Sequence, residues 1–301
     1  MVFSLTVLNV RSINFRSLKA KIALLYSAVF FILLVIVCGI YFFTSYYNFL
    51  NSHINSSRQL TKIISNQLDE MLDKVNAYEV RILESPDILE YIFDGASEQS
   101  VQKEWQFRDD LYSIVGYNYE FYHMNIVNLE DSTMHTFGES YYYMPYTVTP
   151  EIEEAVIAPT LELNGAKNII PPSEPCLYAP REDVPVISLT RAFGRYPLAA
   201  KTAVIEIQIE VAALEDMISE LFYTYDNADE QVIIFDKDCK PVYPSDLSES
   251  KIQYYASLDT DGHARFQSSV FDTGEIVTAQ TSDDTDLTTM VSTSESYIIS
   301  N

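Results

Sequence analysis

Glycine is scarce, eight residues in 301. Phosphate and nucleotide cradles need closely spaced glycines, and neither a P-loop nor GxGxxG occurs; GxSxG and HExxH are missing as well. No catalytic signature is present, which leaves a role as an enzyme open. Basic residues are also few: 19 Lys and Arg stand against 43 Asp and Glu, for a formal charge of −24. A field of that sign works against nucleic acid and anionic membrane surfaces, and favours cationic or neutral ligands. Cysteine numbers only three. Cys38 lies in an apolar run, and Cys176 and Cys239 remain to pair in an oxidising compartment, although sequence cannot bring their Cα atoms within bonding distance. No CxxC or Cys/His spacing calls for zinc, so neither a metal nor a cofactor is expected.

What the chain has in quantity is apolar and aromatic surface. Hydrophobic residues make up 48%, and 22 residues are tyrosine. That composition supports a folded core rather than disorder. Residues 22–43, IALLYSAVFFILLVIVCGIYFF, form 22 positions without a charge. At the helical rise they reach about 33 Å, enough to cross a bilayer core. A cleaved signal is the rival reading, but the run is longer than an ordinary h-region and no small-x-small cleavage site follows. Arg11, Arg16, Lys19 and Lys21 precede it, and the next charge is Arg58. The positive-inside rule then predicts residues 1–21 in the cytoplasm and the bulk outside the cell membrane. With +4 in the first 43 residues, the remainder carries −28.

Beyond the anchor, Leu60, Ile64, Leu68, Met71, Val75, Tyr78 and Ile82 recur at steps of three and four. This predicts one continuous helix over residues 44–85, ended at Ser85-Pro86. Its stripe either packs on the chain's own domain or zips to a second copy. Intramolecular packing is preferred, because about three heptads are marginal for a coiled coil, and a homodimer through the same helix is expected beside it. Helices follow over 86–93, closed near Gly95, and over 101–115. Residues 123–128 and 133–137 flank a hairpin turn at Leu129–Ser132, and Thr149-Pro150 opens a short helix. A loop with five prolines spans 171–185. Strands are expected at 185–193 and 202–211. In the latter, Ile205, Ile207, Ile209 and Val211 alternate with Glu206, Gln208 and Glu210, which predicts a sheet buried on one face. A helix comes next, then VIIFD with a turn and residues 241–243, and further strands at 264–271, 275–280 and 287–292.

The exit helix ending at Ser-Pro, the VISLTRAF strand, the AVIEIQIEVAALEDMI strand-to-helix passage and the VIIFDKDCKPVYP hairpin together resemble the double Cache sensor domain. More narrowly, they are similar to the external half of YesM-type sensor histidine kinases. The resemblance implies an α+β fold in which a transmembrane helix continues into a long helical spine carrying two PAS-like antiparallel-sheet subdomains. The divisions expected are a cytoplasmic tail (1–21), a transmembrane helix (22–43), the spine (44–85), a membrane-distal subdomain (86–225) and a membrane-proximal one (226–301). It also implies an input domain of a two-component receptor, with a small-molecule ligand in the distal pocket. A second span and an output would come next; neither lies among these residues, which leaves a receptor fragment or an anchored module that signals through a partner. The other readings are the input domain of a membrane-bound transcription regulator and a surface-anchored adhesive protein.

Ligand pockets are mostly apolar and aromatic with few polar groups. Trp105, Tyr142, Tyr178 and Arg191 are the residues expected to bind the ligand, Arg191 as partner to an anionic group. The arginine-tryptophan-tyrosine signature of amino-acid-binding members is not evident. His123 and His135 sit on the two arms of the hairpin, roughly opposite each other if the turn centres near Glu130; a metal or proton-sensing pair is conceivable there, and chance placement is the preferred reading. Asp259–Gly262 and Asp283–Asp286 have acidic loops without EF-hand spacing, and are expected to be solvated turns.

Overall fold

The computed structural model describes residues 18–93, 101–138, 141–181, 183–196, 200–225, 230–258, 263–267 and 274–294. Contacts divide the chain into Met1–His53 and Ile54–Asn301. Helix α1 (Leu18–Leu83) is 66 residues long and contributes to both units. Among the described residues, one helix is long and apolar enough to cross a membrane; its most apolar stretch has mean hydropathy 2.8 and no buried residue.

From residue 54 on, α1 is the spine of the second unit. Leu60, Ile64, Leu68, Leu72, Val75 and Ile82 are each at most 2% exposed, and Met71 and Tyr78 pack on them in part. The stripe is therefore spent on the chain's own sheets. Each of these side chains contributes about 1.5–3 kcal/mol of burial. The spine ends where Ser85 precedes Pro86, which disfavours the α conformation before it and opens α2 (Pro86–Phe93). Gly95, expected to close α2, lies outside the described residues. Helix α3 (Val101–Val115) follows.

The first sheet takes β1 (His123–Asn128), β2 (Thr133–Phe137), β3 (Tyr142–Pro145), β4 (Asn168–Ile170), β5 (Val186–Phe193) and β6 (Ala203–Glu210) in the order β3-β2-β1-β6-β5-β4, with every neighbouring pair antiparallel. Between β3 and β4 runs a helical segment: α4 (Pro150–Ile152), a π-helical turn (Glu153–Ile157) and α5 (Ala158–Glu162). Thr149 caps it, its hydroxyl accepting from Ile152 N at 3.3 Å. Helix α6 (Val211–Tyr225) leaves β6 without a break.

The second sheet is built from β7 (Glu230–Phe235), β8 (Pro241–Tyr243), β9 (His263–Gln267), β10 (Gly274–Thr281) and β11 (Thr288–Ser294), in the order β8-β7-β11-β10-β9. Apart from the extra edge strand β3, the two sheets share one topology. In each, the last strand lies between the first and the fourth. Helix α7 (Glu249–Ala256) packs Tyr255 onto the outer side of the second sheet. The short β3 and β4 and helix α7 have too little periodicity to be expected from sequence. The expected acidic turn at 259–262 and the expected strand end at 268–271 lie outside the described residues.

Both sheets turn one face to the spine. Ile205, Ile207 and Ile209 of the first, and Val232, Ile234 and Val291 of the second, join the spine residues in one core. The first sheet's seam is mostly apolar, while the second has hydroxyls in it. Thr278 Oγ1 meets Thr61 Oγ1 at 2.6 Å and Ser57 Oγ at 3.1 Å, and Asp69 accepts from Ser282 and Thr285 at 2.9 and 2.8 Å. Those last contacts fasten the acidic β10–β11 turn to the spine.

One expectation is corrected here. Strand β6 is buried on both faces: Glu206 and Gln208 are 0% exposed, and only Glu210 reaches partial exposure. A period of two tells which residues share a face but not whether that face is covered. Here α4–α5 and residues 171–181 cover it.

Candidate functional site

The covered outer face of the first sheet carries a row of polar residues, one per strand. Reading across the register, Tyr142, Thr136, Asn125, Glu206, Thr190 and Asn168 stand side by side on β3, β2, β1, β6, β5 and β4. The central four are 0% exposed. A second row holds His123, Gln208 and Ser188, also buried. On the other side of the first row, Val127, Met134 and Val204 form an apolar floor against Val156, Ile157 and Leu177. Small-molecule sites share this composition: an apolar wall and a few converging polar groups.

Glu206 is the centre of it. Asn125 Nδ2 donates to its Oε2 at 2.7 Å and Gln208 Nε2 at 2.9 Å, while Leu177 N lies 3.2 Å from both oxygens. Burial raises its pKa above the ordinary carboxylate range, partly offset by hydrogen bonds from Asn125, Ser188, Leu177 N and Gln208. Among the described residues, no lysine or arginine pairs with it. Because both amide NH₂ groups point at the carboxylate, their oxygens point away. Asn125 Oδ1, Gln208 Oε1 and Thr136 Oγ1 have no hydrogen-bond partner among the described residues. The two amide oxygens offer unused acceptors, the Thr136 hydroxyl can accept or donate, and no positive charge pairs with the carboxylate among the described residues, a set that suits an ammonium or another N–H-rich group.

The cover is a strap formed by residues 171–181. Tyr178 O accepts from Asn125 Nδ2 at 2.9 Å and from Gln208 Nε2 at 2.7 Å, and Leu177 O accepts from the Tyr146 hydroxyl at 2.8 Å. Cys176 sits in the same strap; burial and the nearby Glu206 push its thiol up to about 12. Cys176 and Cys239 are both free.

The four residues expected to bind ligand fall in different places. Tyr178 lies on the strap, its ring 6.2 Å from that of His123, and Tyr142 is at the edge of the polar row, 54% exposed. Trp105 is 58% exposed on α3, with the Arg108 guanidinium 5.1 Å from its ring centroid. Arg191 is on the spine side of β5. Its Nε donates to Glu79 Oε2 at 3.3 Å, Nη2 to Asn76 Oδ1 and Nη1 to the carbonyl of Gly165, whose φ of +95° a glycine adopts without strain. Glu79, on the spine, is fully buried, and burial outweighs Arg191 to push it up to about 8.

The histidine pair does not form. The register sets His135 opposite Ile126, so His135 faces the spine, while His123 shares the outer face with Asn125. His135 is boxed by Tyr91, Phe107 and Tyr143 and meets the Tyr141 hydroxyl at 2.9 Å; burial lowers it to about 4. Among the described residues no cluster of three or more His, Cys, Asp or Glu is placed to hold a metal. Asn125, Glu206 and Gln208 were missed because polar residues alternating on a strand look like a solvated face. The available signal was the five-proline loop, which is too long for a plain turn.

No family model matches the sequence, and no curated protein does. Solved structures do match the fold. The ligand-binding domain of the Campylobacter jejuni chemoreceptor Tlp3, in complex with L-norvaline, superposes with a TM-score of 0.55 at 12% identity, covering 83% of this chain and 94% of that one. That of the Pseudomonas fluorescens chemoreceptor CtaA, in complex with L-isoleucine, gives 0.56 at 11%, covering 86% and 99%. The extracellular domain of soHK1S-Z6, assigned as a histidine kinase, gives 0.56 at 13%, covering 85% and 99%. The fold is that of double Cache sensory domains, a helical spine with two antiparallel sheets. At these identities the likeness concerns the fold.

Proposed function

We propose that this chain is the membrane-anchored, extracellular input domain of a two-component signal-transduction receptor. It binds a small molecule with an ammonium or similar donor group on the outer face of the first sheet. The observation that carries this reading is Glu206: a fully buried carboxylate that receives hydrogen bonds only from neutral groups, beside the amide oxygens of Asn125 and Gln208, which have no partner among the described residues. The solved domains of like fold that hold L-norvaline and L-isoleucine support it, since both ligands carry an ammonium group. So does the formal charge of −24, which draws cations toward the surface.

The site comprises Asn125, Glu206 and Gln208 from the sheet, Tyr178 from the strap, and Tyr142 at the rim. The basic flank before residue 22 sets the N-terminus in the cytoplasm. A ligand that binds one arrangement of strap and sheet more tightly shifts the population toward it, and α1 is the covalent route from the sheet to the anchor. A dimer would use the polar face of the spine at Asn66, Glu70 and Lys74, because the apolar stripe is already buried.

The test is a thermal-shift series on the full chain in nanodiscs, with L-isoleucine, putrescine and acetate as probes. A ligand of the folded form at 100 times its Kd stabilises by about 2.7 kcal/mol. An amine probe should raise Tm, acetate should not, and Glu206→Gln should abolish the response. A shift that survives in Glu206→Gln, or none with either amine, overturns the reading.

A further inference from the structure

The strap over the Glu206 site is tied to the second sheet. Glu174, on the strap, accepts a hydrogen bond from Lys240 Nζ at 2.7 Å. Lys240 belongs to the β7–β8 turn, and that turn is itself rigidly built. Asp236 Oδ1 accepts from the backbone N–H of both Asp238 and Lys240, at 2.9 and 2.8 Å, and Asp236 N donates to Lys240 O at 3.0 Å. A second lysine crosses in the opposite sense. Lys167, one residue before β4, reaches Asp284 in the β10–β11 turn at 3.3 Å and Asp73 on the spine at 3.7 Å.

Both bridges border one cavity of about 320 Å³. Residues Asn168–Pro171, where the strap begins, form one wall, and the two turns of the second sheet form the other. A packed seam here would hold the two sheets together whatever the strap did. With a cavity instead, the described polar contact from strap to second sheet is Lys240–Glu174, while Lys167–Asp284 ties the residue before β4 to that sheet.

We propose that the Lys240–Glu174 bridge couples the position of the strap to the β7–β8 turn, so that closing the strap on the ligand site moves the second sheet. The consequence for signalling rests on the reading of Glu206 as the ligand site; the coupling itself does not. Two states of the strap, differing in how Glu174 is presented, bias two states of the turn, and the bias acts equally in both directions.

Hydrogen exchange on the full chain in nanodiscs, without any ligand, tests it. Lys240→Gln should speed exchange within residues 171–181 about two- to fivefold, the range of a partly exposed ion pair. Glu174→Gln should speed exchange within residues 236–240 by the same factor, and the double variant should match either single one. The charge swap Glu174→Lys with Lys240→Glu should restore slow exchange in both segments. Changes confined to the segment that carries the substitution, or additive effects in the double variant, overturn the proposal. Because no ligand is present, that failure leaves the Glu206 reading standing. Conversely, an amine response that persists in Glu206→Gln leaves the coupling standing.

Discussion

Replacing Arg191 with alanine separates two roles for that residue. In the structure its guanidinium is 15% exposed as a side chain and satisfies three acceptors: Glu79 on the spine, Asn76 one turn earlier, and the Gly165 carbonyl. Removing it strands a fully buried Glu79, whose Oε1 already has no partner among the described residues. Because burial holds Glu79 largely protonated near neutral pH, what is lost is the hydrogen bonds to buried acceptors, at a cost of about 1–3 kcal/mol. For a folded unit of this size, 1 kcal/mol moves Tm by about 2–4 °C. Arg191→Ala should therefore lower Tm by about 2–12 °C, whether or not a ligand is added. Arg191→Lys should fall between, because an ammonium keeps the charge but not the three-way geometry. The assay is thermal unfolding of the full chain in nanodiscs, alone and with L-isoleucine or putrescine. If Arg191→Ala melts within about 2 °C of the parent while an amine response disappears, the spine role is refuted and Arg191 belongs to a ligand site.

Two further outcomes follow from the same core. Glu79 titrates near 8 in the folded chain against 4.5 as its ordinary value, so it binds its proton more tightly folded than unfolded. Its contribution is fully present below pH 4.5 and is lost as pH rises through 8, an effect on the order of 5 kcal/mol. Glu79→Gln, which keeps an acceptor for Arg191, should flatten the decline of stability between pH 4.5 and 8; denaturant melts across that range check it. Leu68, 1% exposed at the centre of the spine stripe, should cost about 2–5 kcal/mol when replaced by alanine. A loss below about 1 kcal/mol, measured by the same melts, would mean that the stripe is not packed as described.

Much of the fold was legible in the chain itself, and the reason is periodicity. The charge-free run and the three-four steps from Leu60 to Ile82 marked one long helix, and it runs as α1 to Leu83. Alternation marked β6, and strand-like runs beside turns marked β1, β2, β5 and β7, each to within a residue or two. The short β3, β4 and α7 escaped because three to eight residues carry too little pattern.

The candidate site proposed around Glu206 was legible only in part. Tyr178 and Tyr142 were singled out as aromatic and lie at the polar row, but Asn125, Glu206 and Gln208 were not. Local sequence determined which residues share a face, since backbone geometry turns side chains out at a fixed period in helix and strand. Tertiary structure decided what each face meets. The strap and α4–α5 turned an apparently wet face into a buried polar row, register parity put His123 and His135 on opposite sides of one sheet, and the spine claimed Arg191 through Glu79. Those outcomes depend on pairings between residues up to 112 positions apart, as Glu79 and Arg191 are. No periodicity within a strand records them.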